Sequence, residues 1–239
     1  MLSGSEQYYD DIYGSMGKDY AAEADKLHEF IQTYKRSPGN TLLDVACGTG
    51  THAGLLREHY NVEGTDLNAD MLKVARKKHP GLHFTRADMR DLDLGRQFDV
   101  VTCLFSAIGY MKTKTDLQKA IKSMSRHLLP GGVLLVEPWF TPEQWHAGHV
   151  GAILVDKPDT KIVRMNHSGI KGKVSLLDFH YLIGTPKGIK HLVEYHEFGL
   201  FSHTEYMTAF TKLGVDVIHD PEGIDGRGLY ISIKPYKES

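Results

Sequence analysis

The sequence predicts an α/β fold, a parallel sheet with right-handed crossovers that carries an antiparallel β insertion. Three observations predict it. From Thr41 to Trp139, short apolar runs alternate with helix-period segments, the pattern of strands joined by crossover helices. The first run, Thr41-Leu42-Leu43-Asp44-Val45, ends near a carboxylate and leads into the glycine-rich turn Ala46-Cys47-Gly48-Thr49-Gly50-Thr51-His52, where a helical pattern begins. After about Gly151 the periodicity changes to runs rich in β-branched and aromatic residues, which read as antiparallel strands.

Taken in order, residues 1–36 read mostly as helix. Ala21, Ala22, Leu27, Phe30 and Ile31 share a face, and Ser37-Pro38-Gly39-Asn40 stops it. Strands are expected over 41–47, 62–66, 83–87, 98–105 and 133–137, with helices near 51–59, 69–78 and 115–128. The last helix sets Leu117, Ala120, Ile121, Met124 and Leu128 on one stripe, and Pro130-Gly131-Gly132 turns into the next strand. A meander follows over 161–168, 174–183 and 189–198, separated by Gly169–Gly172 and Thr185–Gly188. The adjacent Leu176 and Leu177 break its alternation, so its register is not set by pattern. Ser202-His203-Thr204-Glu205 has the form of a capping box. It opens a helix carrying Tyr206, Ala209, Phe210 and Leu213, ended by Gly214, and strands over 215–219 and 229–233 close the chain. The chain divides accordingly into residues 1–150 (an N-terminal helix and the α/β core), 151–200 (the β insertion) and 201–239 (a helix and two strands completing the core sheet).

Composition narrows the function. A chain of 239 residues with 41% hydrophobic and 24% charged content is large enough for one well-packed domain with an elaboration. A formal net charge of −2 makes no electrostatic case for nucleic-acid or membrane partners. The two cysteines, Cys47 and Cys103, cannot build a disulfide framework and suit a reducing compartment. No secretory pattern opens the chain, and no apolar run approaches the roughly 20 residues of a membrane span, so the expected location is cytoplasmic. Among fourteen histidines, His180, His191, His196 and His203 lie on or near the meander. None shows metal-ligand spacing, and no metal is expected.

The glycine loop carries the chemistry. Its backbone N–H groups can approach a ligand closely, which suits a nucleoside-like cofactor. A nicotinamide loop reads G-x-G-x-x-G, whereas here only Gly48-x-Gly50 stands, with Asp44 ahead of it. Through Asp44, Ala46, Gly48 and Gly50 the chain resembles the class I S-adenosylmethionine-dependent methyltransferases. That resemblance implies a Rossmann-like seven-stranded sheet and S-adenosylmethionine as cofactor. Asp66, about 22 residues after Asp44 at a strand end, can accept both ribose hydroxyls, with Leu67 beside it. Asp88 ends the third strand, and the resemblance implies that it accepts from the adenine amino group while Met89 covers the ring. Leu104, Phe105 and Ser106 end the fourth strand and belong beside the methionine portion. His52, at a helix start, is expected to contact the loop. Tyr20 lies on a helix that can fold over the site with its hydroxyl toward the methionine carboxylate; an ordinary packed tyrosine is the alternative.

Further segments are shared with one group of these enzymes. Gly17-Lys18-Asp19-Tyr20-Ala21-Ala22-Glu23-Ala24, Asp88-Met89-Arg90-Asp91, Phe105-Ser106-Ala107-Ile108-Gly109-Tyr110, Val136-Glu137-Pro138-Trp139 and Gly226-Arg227-Gly228-Leu229 resemble the TDP-3-amino-sugar N,N-dimethyltransferases of deoxysugar biosynthesis. The likeness implies a nucleotide-sugar substrate and a homodimer, with the β insertion helping to build substrate site and interface. In-line transfer to an amine needs alignment and water exclusion rather than a protein nucleophile. Tyr110 and Ser106 are the candidates that orient the sugar amine or its neighbouring hydroxyl and relay a proton. Arg164 and Arg227 are candidate forks for the diphosphate, and Trp139 and Tyr9 candidate stacking rings for nucleobase or sugar. Solvated arginines and packed aromatics are the plain alternatives. Two other functions stay open: a methyltransferase for another small metabolite with an oxygen or carbon acceptor, and a non-catalytic module that binds the cofactor. A nucleic-acid enzyme is disfavoured by charge and by Phe105-Ser106-Ala107 standing where an Asn/Asp-Pro-Pro-Tyr/Phe signature would be.

Overall fold

The computed structural model describes residues 4–236. Helices α1 (Tyr9–Ser15) and α2 (Tyr20–Tyr34) precede the core. The core runs β1 (Thr41–Val45), α3 (Thr51–Leu56), β2 (Asn61–Asp66), α4 (Ala69–Lys78), β3 (His83–Arg86), β4 (Phe98–Cys103), α5 (Lys114–Arg126) and β5 (Leu128–Val136). The insertion holds β6 (Val150–Lys157), β7 (Thr160–Lys171), β8 (Val174–Thr185) and β9 (Gly188–Gly199). The chain closes with α6 (His203–Thr211), β10 (Val217–Asp220) and β11 (Leu229–Ile233).

The core sheet has seven strands in the order β10-β11-β5-β4-β1-β2-β3. β1 pairs in parallel with both β2 and β4, so strand order reverses there, and a crevice opens beyond the carboxyl ends of β1 and β4. The sheet is not wholly parallel: β11 runs antiparallel to β5 and β10. Leu42, Val100, Val133 and Leu135 face Leu27, Ile31, Leu56 and Leu72 from α2, α3 and α4. Their neighbours Leu43, Val101 and Leu134 face Leu117, Ile121, Met124 and Phe210 from α5 and α6. Apolar runs without polar alternation are what a sheet covered on both faces requires.

Three local departures from the sequence expectations have physical reasons. The N-terminal helical stretch breaks between α1 and α2, where Gly17 takes φ 82° and Asp19 caps α2 by accepting from the N–H groups of Ala21 and Ala22. β5 begins at Leu128 and absorbs Pro130-Gly131-Gly132 as an irregularity. Phe98 pairs with Leu128 and Val100 with Val133, so extra residues bulge from β5 and Gly131 takes φ 77°. The insertion has four antiparallel strands in order β6-β7-β8-β9; β6 is an edge strand paired only with β7. The register around Leu176-Leu177 is resolved by packing: Ser175, Phe179, Tyr181 and Ile183 face inward, and Leu182 faces out. The capping box of Ser202 and Glu205 forms as expected.

Candidate functional site

The crevice at the switch point is built from the ends of β1 and β4, the glycine loop, and the N-terminal helices laid over them. Ala46, Gly48 and Gly50 all adopt positive φ, 58°, 55° and 73°, which turns the loop back on itself and starts α3. Tyr9, Tyr20, Asp44, Gly48, His52 and Leu104 line one cavity there, together with Ala46, Thr49, Thr51 and Phe105. The structure thus brings most of the predicted cofactor residues together and adds Tyr9, which the sequence reading places on the substrate side.

Asp44 is buried and accepts from the Thr102 hydroxyl at 2.9 Å. Burial pushes its carboxyl up to about 6, so its charge is poorly compensated from within the protein. Asp66 ties the end of β2 to the loop: it accepts from the N–H of Gly48 at 2.9 Å and of Asn68 at 2.8 Å. Burial still outweighs those bonds and raises its carboxyl. Asp88 stands apart, held low by a multidentate pairing with Arg90. Leu67 is exposed just beyond the end of β2, while Met89 packs into the core.

His52 donates from Nε2 to Glu23 at 2.8 Å, and the other oxygen of Glu23 pairs with Lys18 at 2.5 Å. Burial alone would raise Glu23, but the bonds from His52 and Lys18 outweigh it and keep it ionised. Lys18 lies 3.9 Å from the Phe105 ring centroid. The Tyr20 ring meets His52 edge-on at 5.1 Å, and its buried hydroxyl has no hydrogen-bond partner among the described residues.

Asp10 was invisible as a site residue in sequence. Its carboxylate accepts from Thr49 and Thr51, each at 2.8 Å, and pairs with Lys78 at 2.5 Å. A carboxylate therefore stands beside the loop where dinucleotide folds hold a pyrophosphate. The residues fit S-adenosylmethionine better: two desolvated carboxylates suit a ligand with a sulfonium and an ammonium, and the unpartnered Tyr20 hydroxyl suits its carboxylate.

The wall opposite is lined by the inner face of the insertion. Ser106 is buried, donates to the Pro138 carbonyl at 2.6 Å and accepts from Arg227 at 3.0 Å. Its hydroxyl is thus engaged in shaping the β4 end. Tyr110 is 45% exposed and its hydroxyl lies 3.0 Å from Nδ1 of His196. Arg227 lies 4.0 Å from Glu137 and over the Phe105 and Trp139 rings. Trp139 stacks on Phe198 at 4.5 Å and donates to Ser175. Arg164 is only 4% exposed. It lies over the rings of Tyr13 and Phe179, its Nη2 meets the Met16 sulfur, and its Nε is buried without a partner among the described residues. Glu194, Tyr181 and Glu137 were missed in sequence. Among the described residues no group of three His, Cys, Asp or Glu side chains is placed to hold a metal.

Comparison with known proteins agrees with this geometry. A model described as a methyltransferase domain matches residues 42–132. The chain is 40% identical over 229 residues to dTDP-3-amino-3,6-dideoxy-alpha-D-glucopyranose N,N-dimethyltransferase of Streptomyces fradiae, covering 95% of this chain and 89% of that one. Its structure superposes on Streptomyces venezuelae DesVI with TM-score 0.92 and 38% identity, covering 99% and 100% of the two chains. It superposes on CalS10 with bound S-adenosylmethionine, an amino pentose methyltransferase from Micromonospora echinaspora, with TM-score 0.85 and 35% identity over 95% and 96%.

Proposed function

The chain belongs to the family of TDP-amino-sugar N,N-dimethyltransferases and is an S-adenosylmethionine-dependent methyltransferase, and from that premise we propose that it methylates the amino group of a TDP-linked amino sugar. The observation that carries the substrate side is Arg164, a buried guanidinium that forms no ion pair with a carboxylate among the described residues and lies against the Tyr13 and Phe179 rings. A buried cation without a counter-charge is costly, and a diphosphate supplies one. Arg227 is the second fork.

When bound, S-adenosylmethionine supplies an electrophilic methyl on sulfur. The chain's own residues do the rest. Asp44, Asp66, Tyr20 and the loop at Ala46, Gly48 and Gly50 hold it, with His52 and Leu104 closing the cavity. Asp88, Met89 and Leu67 complete the adenosine end once Arg90 releases Asp88. Tyr110 faces the acceptor amine, Ser106 and Arg227 shape the β4 end, and Trp139 and Tyr9 flank the reactants and exclude water.

In this reading residues 1–150 and 201–239 form the cofactor-binding core and residues 151–200 the substrate wall and subunit interface. On the outer face of the insertion Leu154, Val163 and Leu182 lie side by side in register, with Met165 in the next row and Ile189 near the sheet end, all exposed. Such a patch on a small enzyme suits a second copy of the chain, so a homodimer is expected. The substrate being a small anionic metabolite, nucleic-acid and membrane partners have no place in it, and a cytoplasmic location fits; no helix is long and apolar enough to cross a membrane among the described residues.

The test is incubation with methyl-labelled S-adenosylmethionine and a panel of TDP-amino sugars, read by mass spectrometry and by NMR position of the new methyl. Label on nitrogen supports the proposal. Label on oxygen or carbon, or cofactor binding without transfer, replaces it with one of the alternatives.

A further inference from the structure

Strand β9 places Glu194, His196 and Phe198 on the inner face of the insertion. Phe198 stacks parallel to the His196 ring at 6.0 Å, and Phe179 meets it edge-on at 5.3 Å, so the imidazole is held in one plane. Its Nδ1 lies 3.0 Å from the Tyr110 hydroxyl and its Nε2 3.4 Å from Glu194 Oε2. Glu194 is 3% exposed and accepts besides from the Ser5 hydroxyl and, at 3.1 Å, from Tyr181.

The geometry fixes a direction for a proton. Burial would raise the Glu194 carboxyl, but the bonds from His196, Ser5 and Tyr181 outweigh it and hold it below its ordinary value. An ionised carboxylate only accepts, so His196 must present Nε2–H to it. Nδ1 is then a lone pair and takes the O–H of Tyr110. The second lone pair of the Tyr110 oxygen is left for the open cleft. Although the residue as a whole is half exposed, desolvation around its hydroxyl, with the neighbouring Tyr13, Asp66 and Glu194, keeps the Tyr110 phenol well above its ordinary value, so Tyr110 can pass a proton on but cannot keep the charge of a lost one.

We propose that His196 is the proton acceptor behind Tyr110 and that Glu194 is its positioning residue, the three forming a relay that neutralises the sugar ammonium before methyl transfer. This rests on the function proposed above. An N–H of the ammonium passes its proton to the Tyr110 oxygen while the Tyr110 proton passes to Nδ1 of His196. The products are a neutral amine, an unchanged phenol and an imidazolium paired with Glu194; the 3.4 Å separation then contracts to an ion pair. The N–C bond forms on the freed lone pair, and each methyl added requires one such removal, the proton then leaving His196 for solvent. The other titratable or charged groups that face the relay are Tyr181 of β8, Arg164 of β7 and Tyr13 of α1, with Asp66 of β2 and Tyr9 of α1 acting on Tyr110. Lys112 and Glu197 form an ion pair beside β9.

The experiment measures kcat/KM against pH, from about 6 to 9, for the full chain and for His196→Gln, Glu194→Gln and Tyr110→Phe, with S-adenosylmethionine affinity read by calorimetry as the fold control. In His196→Gln the rising limb moves toward the pKa of the free sugar ammonium, giving about a tenfold loss near pH 7 that shrinks toward parity near pH 9. Imidazole added to His196→Ala restores part of the rate. A loss that is uniform across pH with no rescue overturns the relay. Nitrogen-15 NMR of the wild-type protein is the second measurement: an Nε2–H tautomer at His196 supports the relay and an Nδ1–H tautomer overturns it, whether or not the variants fold. If the wild type transfers no methyl to any TDP-amino sugar, the proposed function falls and the relay with it; wild-type transfer with an unaltered profile in His196→Gln removes the relay alone.

Discussion

The backbone N–H of Phe105 donates to the Glu137 carboxylate at 2.7 Å, joining the ends of two neighbouring strands. That bond anchors two consecutive non-glycine residues in the left-handed region, Phe105 at φ 49° and Ser106 at φ 57°. Each costs on the order of 1–3 kcal/mol unless its surroundings impose it. The strain lies at the carboxyl end of β4, with Arg227 and the Pro138 carbonyl holding Ser106 from the other side.

Glu137→Ala removes the anchor and leaves the Phe105 N–H without an acceptor. Stability is expected to fall by about 2–4 kcal/mol, and kcat to fall more than cofactor affinity. Burial pushes the Glu137 carboxyl from 4.5 up to about 7. The folded state therefore holds more protons than the unfolded one between those values, and the contribution to stability is lost as pH rises through them. Glu137→Gln abolishes that slope. Denaturant unfolding at about pH 5 and 8 should show the wild type losing up to ~3 kcal/mol more than the variant over the interval.

Cofactor affinity should depend on Asp44 ionisation. Burial places this carboxyl at about 6, and a cationic ligand binds its charged form. The dissociation constant of S-adenosylmethionine is expected to fall as pH rises from about 5 to 7 and then level off. Asp44→Asn should flatten the curve and weaken binding by about tenfold or more, as loss of a charge-assisted contact does. Calorimetry across pH reads both.

Arg164 sets stability against binding. Arg164→Met keeps the volume beside Phe179 and removes a buried charge that forms no ion pair among the described residues. Its melting temperature is expected to equal or exceed that of the wild type, while KM for the nucleotide sugar rises at least about tenfold with S-adenosylmethionine affinity unchanged. A lower melting temperature together with an unchanged KM would assign this arginine to packing.

Asp10 is expected to matter without touching the methyl group. Asp10→Ala frees Thr49, Thr51 and Lys78 from α1 and loosens Tyr9 over the cavity. Stability should fall by about 1–2 kcal/mol and KM for the cofactor should rise. The Asp10 carboxyl is held low: burial would raise it, but the bonds from Lys78, Thr51 and Thr49 outweigh it. The wild type thus keeps this contribution above pH 3.8 and loses it below. Thermal unfolding of both proteins near pH 3 and 7 checks the sign.

Much of the cofactor half was legible because its signals are local. The apolar runs ending at Asp44 and Asp66 and the glycines after β1 lie within a few residues of the groups they position. β6 was not legible as a strand. Its burial alternates, but it is an edge with apolar Val150 and Leu154 on the exposed face as well as Ile153 and Val155 on the inner one, so no polar–apolar pattern marks it. The relay residues were hidden for a different reason. Glu194-Tyr195-His196-Glu197 is polar on both faces, and only the pairing of β9 beside Tyr110, 86 positions earlier in the chain, shows which of the four point inward.

The cleft is stitched by both extremes of the polypeptide. Ser5 reaches Glu194, and Arg227, just before the final strand, reaches Ser106. A ribosome-bound chain that has emerged only through β9 lacks Arg227 together with α6, β10 and β11 of the core sheet, and a chain trimmed before Glu6 lacks the bond to Glu194, so neither fragment holds the whole set of contacts that closes the cleft.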